Sequence, residues 1–124
     1  MRVLLIDDDP LVRETLAETL ADEGIEVDGL ANAEDALVLL GAGQVPDVLV
    51  ADIDLGAGLS GLDLAGIARE RHPAVEVVLI SGASPGPGQP APGPHERFLR
   101  KPFAPSALAE AIRAAAAAAD EANG

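Results

Sequence analysis

Three short apolar runs constrain this chain more than any other feature: Val3–Ile6 ("VLLI"), Val48–Ala51 ("VLVA") and Val77–Ile80 ("VVLI"). Each is too short for a helix and rich in branched residues, so each reads as a buried strand. Helical patterns separate them. Strands that alternate with helices argue for an α/β domain with a parallel sheet covered on both faces. The expected strands are Val3–Ile6, Ile25–Leu30, Asp47–Asp52, Val75–Ser81 and a short Arg97–Arg100.

The helices carry their own punctuation. Asp9 and Pro10 form a helix start, an acid at the N-cap and a proline in the first turn. Val12, Leu16 and Leu20 then recur every four residues, and Gly24 ends the run. Asn32 caps a second helix, with Glu34 and Asp35 in its first turn. Ala33, Ala36, Leu37 and Leu40 line its inner face, and Gly41 and Gly43 stop it. A third helix spans Leu62–Arg71 and closes at His72-Pro73. The last begins at Pro105 and ends near Ala118, with Leu108, Ile112 and Ala115 inward, leaving 119–124 as a frayed tail. At 124 residues the chain is expected to be one domain over 1–124.

Composition excludes several functions. A net charge of −13 repels phosphate backbones and anionic lipids, so direct nucleic-acid binding is not expected. There is no Trp or Tyr to stack on single-stranded bases. There is no cysteine, which excludes disulfides and thiolate metal sites and fits the cytoplasmic location we expect. Met1 leads into only five residues, "RVLLI", before charge returns, too short for a signal peptide or a membrane span.

The chemistry sits just past the strands. Asp7, Asp8 and Asp9 follow the first, Asp52 and Asp54 the third, Ser81 the fourth and Lys101 the fifth. In a parallel sheet these positions share one edge, and open doubly wound sheets bind ligands there, at the switch point of strand order. If the order is 2-1-3-4-5, that point lies between strands one and three, and Asp7 and Asp8 come beside Asp52. Clustered carboxylates need a cation or protons. An all-oxygen set with no His or Cys suits a hard ion such as Mg²⁺. A carboxylate on such an ion can attack a phosphoryl group, with Lys101 as a point charge and Ser81 as a hydroxyl donor.

The segments "VLLIDDDPLVR", "DVLVADIDL", "GLDLA", "VVLISG" and "FLRKPF", in that order, resemble the receiver domain of two-component response regulators across essentially the whole chain. The resemblance implies a flavodoxin-like fold, with Asp52 as phospho-acceptor and a histidine kinase or histidine phosphotransfer protein as donor. It implies Asp7 and Asp8 as the acidic pair for Mg²⁺, Asp8 the more direct ligand, with the Asp54 backbone carbonyl completing the protein's share of the shell. Ser81 matches the switch hydroxyl, Phe98 the aromatic switch, and Lys101 the phosphate-contacting lysine, with a cis peptide to Pro102. Such a protein catalyses only its own phosphorylation and dephosphorylation and passes the signal to a downstream protein target. The chain reads as a stand-alone receiver.

Two rival readings carry weight. "VLVADIDL" also resembles the first motif of haloacid-dehalogenase-type phosphatases, which form an aspartyl phosphate on Mg²⁺ as well. Their paired acids come late in the chain, whereas here they are residues 7 and 8. A degenerate receiver acting as a phosphorylation-independent scaffold is the other, and the full set of acids, Ser81 and Lys101 argues against it. His72 and His95 are isolated and expected to be exposed, Ser84 to be an ordinary hydroxyl, and Phe103 to pack in the core.

The departure from the family lies between strands four and five. Nine of the thirteen residues Gly82–Pro94 are Gly or Pro. Proline costs about 3 kcal/mol and glycine about 1 inside a helix. The expected fourth helix is therefore missing or replaced by a Pro/Gly-rich loop. The sheet face it would cover makes 75–99 a candidate homodimer surface. Ala104 stands where a helix-capping Asp is common in the family.

Overall fold

The computed structural model describes residues 1–56, 58–82 and 95–123. Five strands form one parallel sheet in the order β2-β1-β3-β4-β5. They are β1 (Arg2–Ile6), β2 (Glu26–Leu30), β3 (Val48–Asp52), β4 (Glu76–Ser81) and β5 (Glu96–Arg100). Among the described residues there are four helices: α1 (Pro10–Asp22), α2 (Ala33–Gly41), α3 (Gly61–Arg71) and α4 (Pro105–Asn123). The expected order is the observed one, and the switch point falls between β1 and β3. Of the Gly82–Pro94 connector that we expected in place of a helix, 83–94 lie outside the described residues, as does that part of the candidate dimer surface at 75–99.

The continuous apolar runs became strands because both faces of the sheet are covered. Leu4, Ile6, Leu49, Ala51, Val77 and Leu79 face a core shared with α2 and α3. Val3, Leu5, Val48, Val50, Val78 and Ile80 face one shared with α1 and α4. Successive side chains alternate between these cores, as the pleat requires. Every apolar side chain of β3 and β4 is at most 1 % exposed.

The helix starts follow the sequence closely. The Asp9 carboxylate accepts from the N–H groups of Leu11 and Val12, with Pro10 in the first turn. Asn32 accepts from Asp35 N–H. A reciprocal capping box, Ser60 with Asp63, starts α3 at Gly61 rather than Leu62. The last helix runs to Asn123, beyond the expected end near Ala118. Ala104 offers no side-chain acceptor at its start; the Ala104 carbonyl accepts from Ala107 N–H at 2.8 Å.

Further expectations are corrected, and among them His72 is half-buried rather than exposed. The fifth strand begins at Glu96, because its pairing with β4 extends to Val77. His95 is half-buried rather than exposed: its Nδ1 lies 3.0 Å from Glu76 Oε1. Glu76 is a strand residue only 1 % exposed, so an imidazole in reach is its means of pairing a buried carboxylate. No described helix is long and apolar enough to cross a membrane.

Candidate functional site

The carboxyl ends of β1, β3 and β4 and the segment after β5 enclose a cleft of about 500 Å³. Its lining includes Asp7, Asp8, Asp9, Asp52, Asp54, Ser81 and Lys101. Six of the seven site residues read from the sequence are therefore together. The seventh, Phe98, is half-buried on β5 and packs against the core under α2 and α3.

Asp52 ends β3 with 5 % exposure. Its Oδ1 accepts from Asp54 N–H at 3.0 Å, and its Oδ2 lies 2.6 Å from Lys101 Nζ. The lysine arrives from a turn that begins where Lys101 N–H bonds the Ser81 carbonyl at 2.8 Å, with a cis peptide to Pro102. The hydrogen bond to Asp52 raises the ammonium pKa above its ordinary value, so the side chain stays charged.

Asp7 is the more deeply buried acid, at 1 % exposure. Its Oδ1 accepts from Asp9 N–H at 2.9 Å, while its Oδ2 is buried with no hydrogen-bond partner. Burial raises its pKa above the ordinary carboxylate value; the Asp9 N–H pulls it back, and the Asp52 charge raises it again. Asp8 is exposed at the mouth of the cleft. The orphaned Asp7 oxygen beside further carboxylates fits a hard cation. Among the described residues, no three Asp, Glu, His or Cys side chains are gathered tightly enough to hold one alone. An ion that keeps several of its waters and needs only one or two carboxylates, the habit of Mg²⁺, is compatible with that set.

Several supports were not evident beforehand. Arg13 Nη1 donates to the Asp7 carbonyl at 2.8 Å. Glu34 Oε1 accepts from Leu59 N–H at 3.0 Å, bracing the loop that follows β3. A Cβ on Gly61 would overlap the Asp52 carbonyl. The S-x-x-D pattern at Ser60 was available as a capping signal; the contact between Glu34 and Leu59, 25 positions apart, has no sequence signature.

Residues 3–113 match the family model for the response regulator receiver domain. A protein-glutamate methylesterase/protein-glutamine glutaminase of Anaeromyxobacter dehalogenans is 41% identical over 92 residues, covering 73% of this chain and 25% of that protein. The C4-dicarboxylate transport transcriptional regulatory protein DctD of Pseudomonas aeruginosa is 36% identical over 116 residues, covering 92% of this chain and 25% of its own length. The chain thus spans about a quarter of the length of these curated relatives. A receiver protein from Sinorhizobium medicae superposes with a TM-score of 0.86 at 28% identity, covering 96% of each chain. The response regulator TrrA from Thermotoga maritima, solved in complex with Mg²⁺-BeF, gives 0.81 at 31% identity, over 92% of this chain and 97% of that one.

Proposed function

Because the chain belongs to the response regulator receiver domain family, we propose that it accepts a phosphoryl group on Asp52 and changes conformation in response. The observation that carries this is the Asp52 carboxylate, nearly buried at the floor of the cleft, with an ammonium 2.6 Å away. The donor is a phosphohistidine on a histidine kinase or phosphotransfer protein. An Asp52 oxygen bonds to phosphorus as the bond from phosphorus to the donor imidazole breaks.

The chain's own groups prepare that exchange. The Asp54 N–H fixes the orientation of the Asp52 carboxylate. Lys101 follows the charge from the Asp52 oxygen to the transferred phosphoryl group. Mg²⁺ would be held by Asp7, Asp8, Asp52 and the Asp54 carbonyl, and when bound it supplies neutralising charge for the phosphoryl oxygens. Asp7, buried and orphaned at one oxygen, is the residue whose chemistry most requires that ion. Ser81, on the cleft wall, turns its hydroxyl toward the phosphoryl group, and Phe98 moves inward behind it. The protein acts in the cytoplasm, the chemistry of this domain is its own phosphorylation and dephosphorylation, and the signal passes to a downstream protein target.

Intact mass spectrometry tests this. Acetyl phosphate with Mg²⁺ adds one phosphate to the native protein and none to Asp52→Asn. An unchanged native mass would favour the scaffold reading, and steady turnover of small phosphomonoesters the phosphatase reading.

A further inference from the structure

Arg13 and Gly29 lie on different elements, α1 and β2, and neither lines the cleft. The structure joins them. The Arg13 stem crosses β2 at Gly29, where a Cβ would stand 3.1 Å from Cγ and 3.2 Å from Cδ of the arginine. Glycine is unexpected inside a strand, which it weakens. Its conformation does not call for glycine, since its φ is not positive. The space above it favours glycine, because an added Cβ would require the arginine stem to give by a few tenths of an ångström. Any side chain at position 29 would press on the arginine.

From there the guanidinium reaches the acidic turn. Arg13 Nη1 donates to the Asp7 carbonyl at 2.8 Å. Asp7 N–H is already bonded to the Leu30 carbonyl at 3.0 Å, and Asp7 Oδ1 to Asp9 N–H. The arginine thus completes the set that leaves only Asp7 Oδ2 without a partner. The Asp7 carbonyl also belongs to the planar peptide that joins Asp7 to Asp8. Holding that plane restricts the backbone from which the two carboxylates project.

We propose that Arg13 is a positioning residue for the metal-binding turn, holding the Asp7–Asp8 peptide plane so that both acids are presented to Mg²⁺, and that Gly29 is the space in which it does so. This rests on the receiver reading of the site and assigns that reading a residue outside the cleft. The sign of the effect separates positioning from charge. If Arg13 acted only as a nearby cation, it would repel Mg²⁺, and removing it would tighten binding. A positioning role predicts the reverse.

The experiment is Mg²⁺ titration by calorimetry on the native protein, Arg13→Ala, Gly29→Val and the double variant, each first shown to melt cooperatively in EDTA. Loss of a group that orients a metal ligand typically costs 10- to 100-fold in affinity, and a backbone-mediated effect belongs at the lower end, about tenfold. Gly29→Val should weaken binding in the same direction with no change of charge and with a residue better suited to a strand. The double variant should be no worse than the weaker single one, because both remove one contact. Amide exchange at Asp8 and Asp9, followed by NMR without metal, should speed up in both single variants. If the native protein binds Mg²⁺ and either folded single variant binds it as tightly or more tightly, the proposal is overturned while the receiver reading stands. If the native protein binds none, the receiver reading of the metal site falls. Unchanged exchange in both variants would still sink the positioning role on its own.

Discussion

Replacing Asp7 by asparagine should make the metal-free protein more stable and incapable of responding to Mg²⁺. Asp7 is 1 % exposed, and one of its carboxylate oxygens has no partner. A buried polar atom left unsatisfied costs about 1–3 kcal/mol, and more when charged. Asparagine keeps the acceptor for Asp9 N–H and removes the negative charge beside Asp52. It leaves a neutral amide in place of the orphaned oxygen, so part of the cost remains. A net gain of about 1–2 kcal/mol is expected, equivalent to roughly 4–8 °C in Tm for a domain of this size. Calorimetric melting in EDTA at neutral pH measures it.

The pH dependence follows from the raised pKa. The folded state holds the Asp7 proton more tightly than the unfolded chain, where the ordinary value is 3.8. Between that value and the raised one, the native protein loses stability as pH rises. Above the raised pKa the penalty is complete and constant. The advantage of Asp7→Asn should therefore be greatest above the raised pKa and vanish as pH falls below 3.8. Mg²⁺ reverses the ranking: at one hundred times its Kd it stabilises the native protein by about 2.7 kcal/mol and leaves the variant unmoved. An Asp7→Asn protein melting at or below the native temperature in EDTA would refute the premise that this carboxylate is held at a cost.

Two further substitutions test the supports. Gly61→Ala should destabilise by about 1–3 kcal/mol and slow phosphorylation, because the added methyl meets the Asp52 backbone, which cannot swing aside. Helix propensity alone predicts the opposite sign for alanine, so a more stable variant in urea unfolding would count against the clash. His95→Ala should cost about 1–3 kcal/mol by leaving the buried Glu76 without its imidazole. Mg²⁺ affinity should not change, since Glu76 opens the strand that Ser81 closes, and a lower affinity would show that the two ends of β4 are coupled.

Much of the fold is legible because its signals are local. Asp9 with Pro10, Asn32, and the four-residue spacing of Leu16 and Leu20 each act within a turn or two of chain. That six candidate residues share one cleft was legible for a related reason: a strand that ends on Asp or Ser in a parallel sheet delivers that group to one edge. His95 was misjudged as exposed because its partner, Glu76, is a strand residue 19 positions away. A charged residue in an apolar run gives no sign of which face it takes or what meets it there. Arg13, Glu34 and Gly61 were overlooked as parts of the site for the same reason: each acts through a backbone group, and backbone groups have no letter in the sequence.

By itself, then, the sequence determined the elements, their order along the chain, and the chemistry carried past each strand. Burial periodicity and capping are read over a few residues and need no knowledge of neighbours. Only the tertiary structure decided which groups meet: Lys101 with Asp52 across 49 positions, the Glu34 carboxylate with Leu59 N–H, the Arg13 stem over Gly29. Those pairings depend on strand order and register. A one-residue slip in register would send every side chain of a strand to the other face of the sheet and dissolve them all.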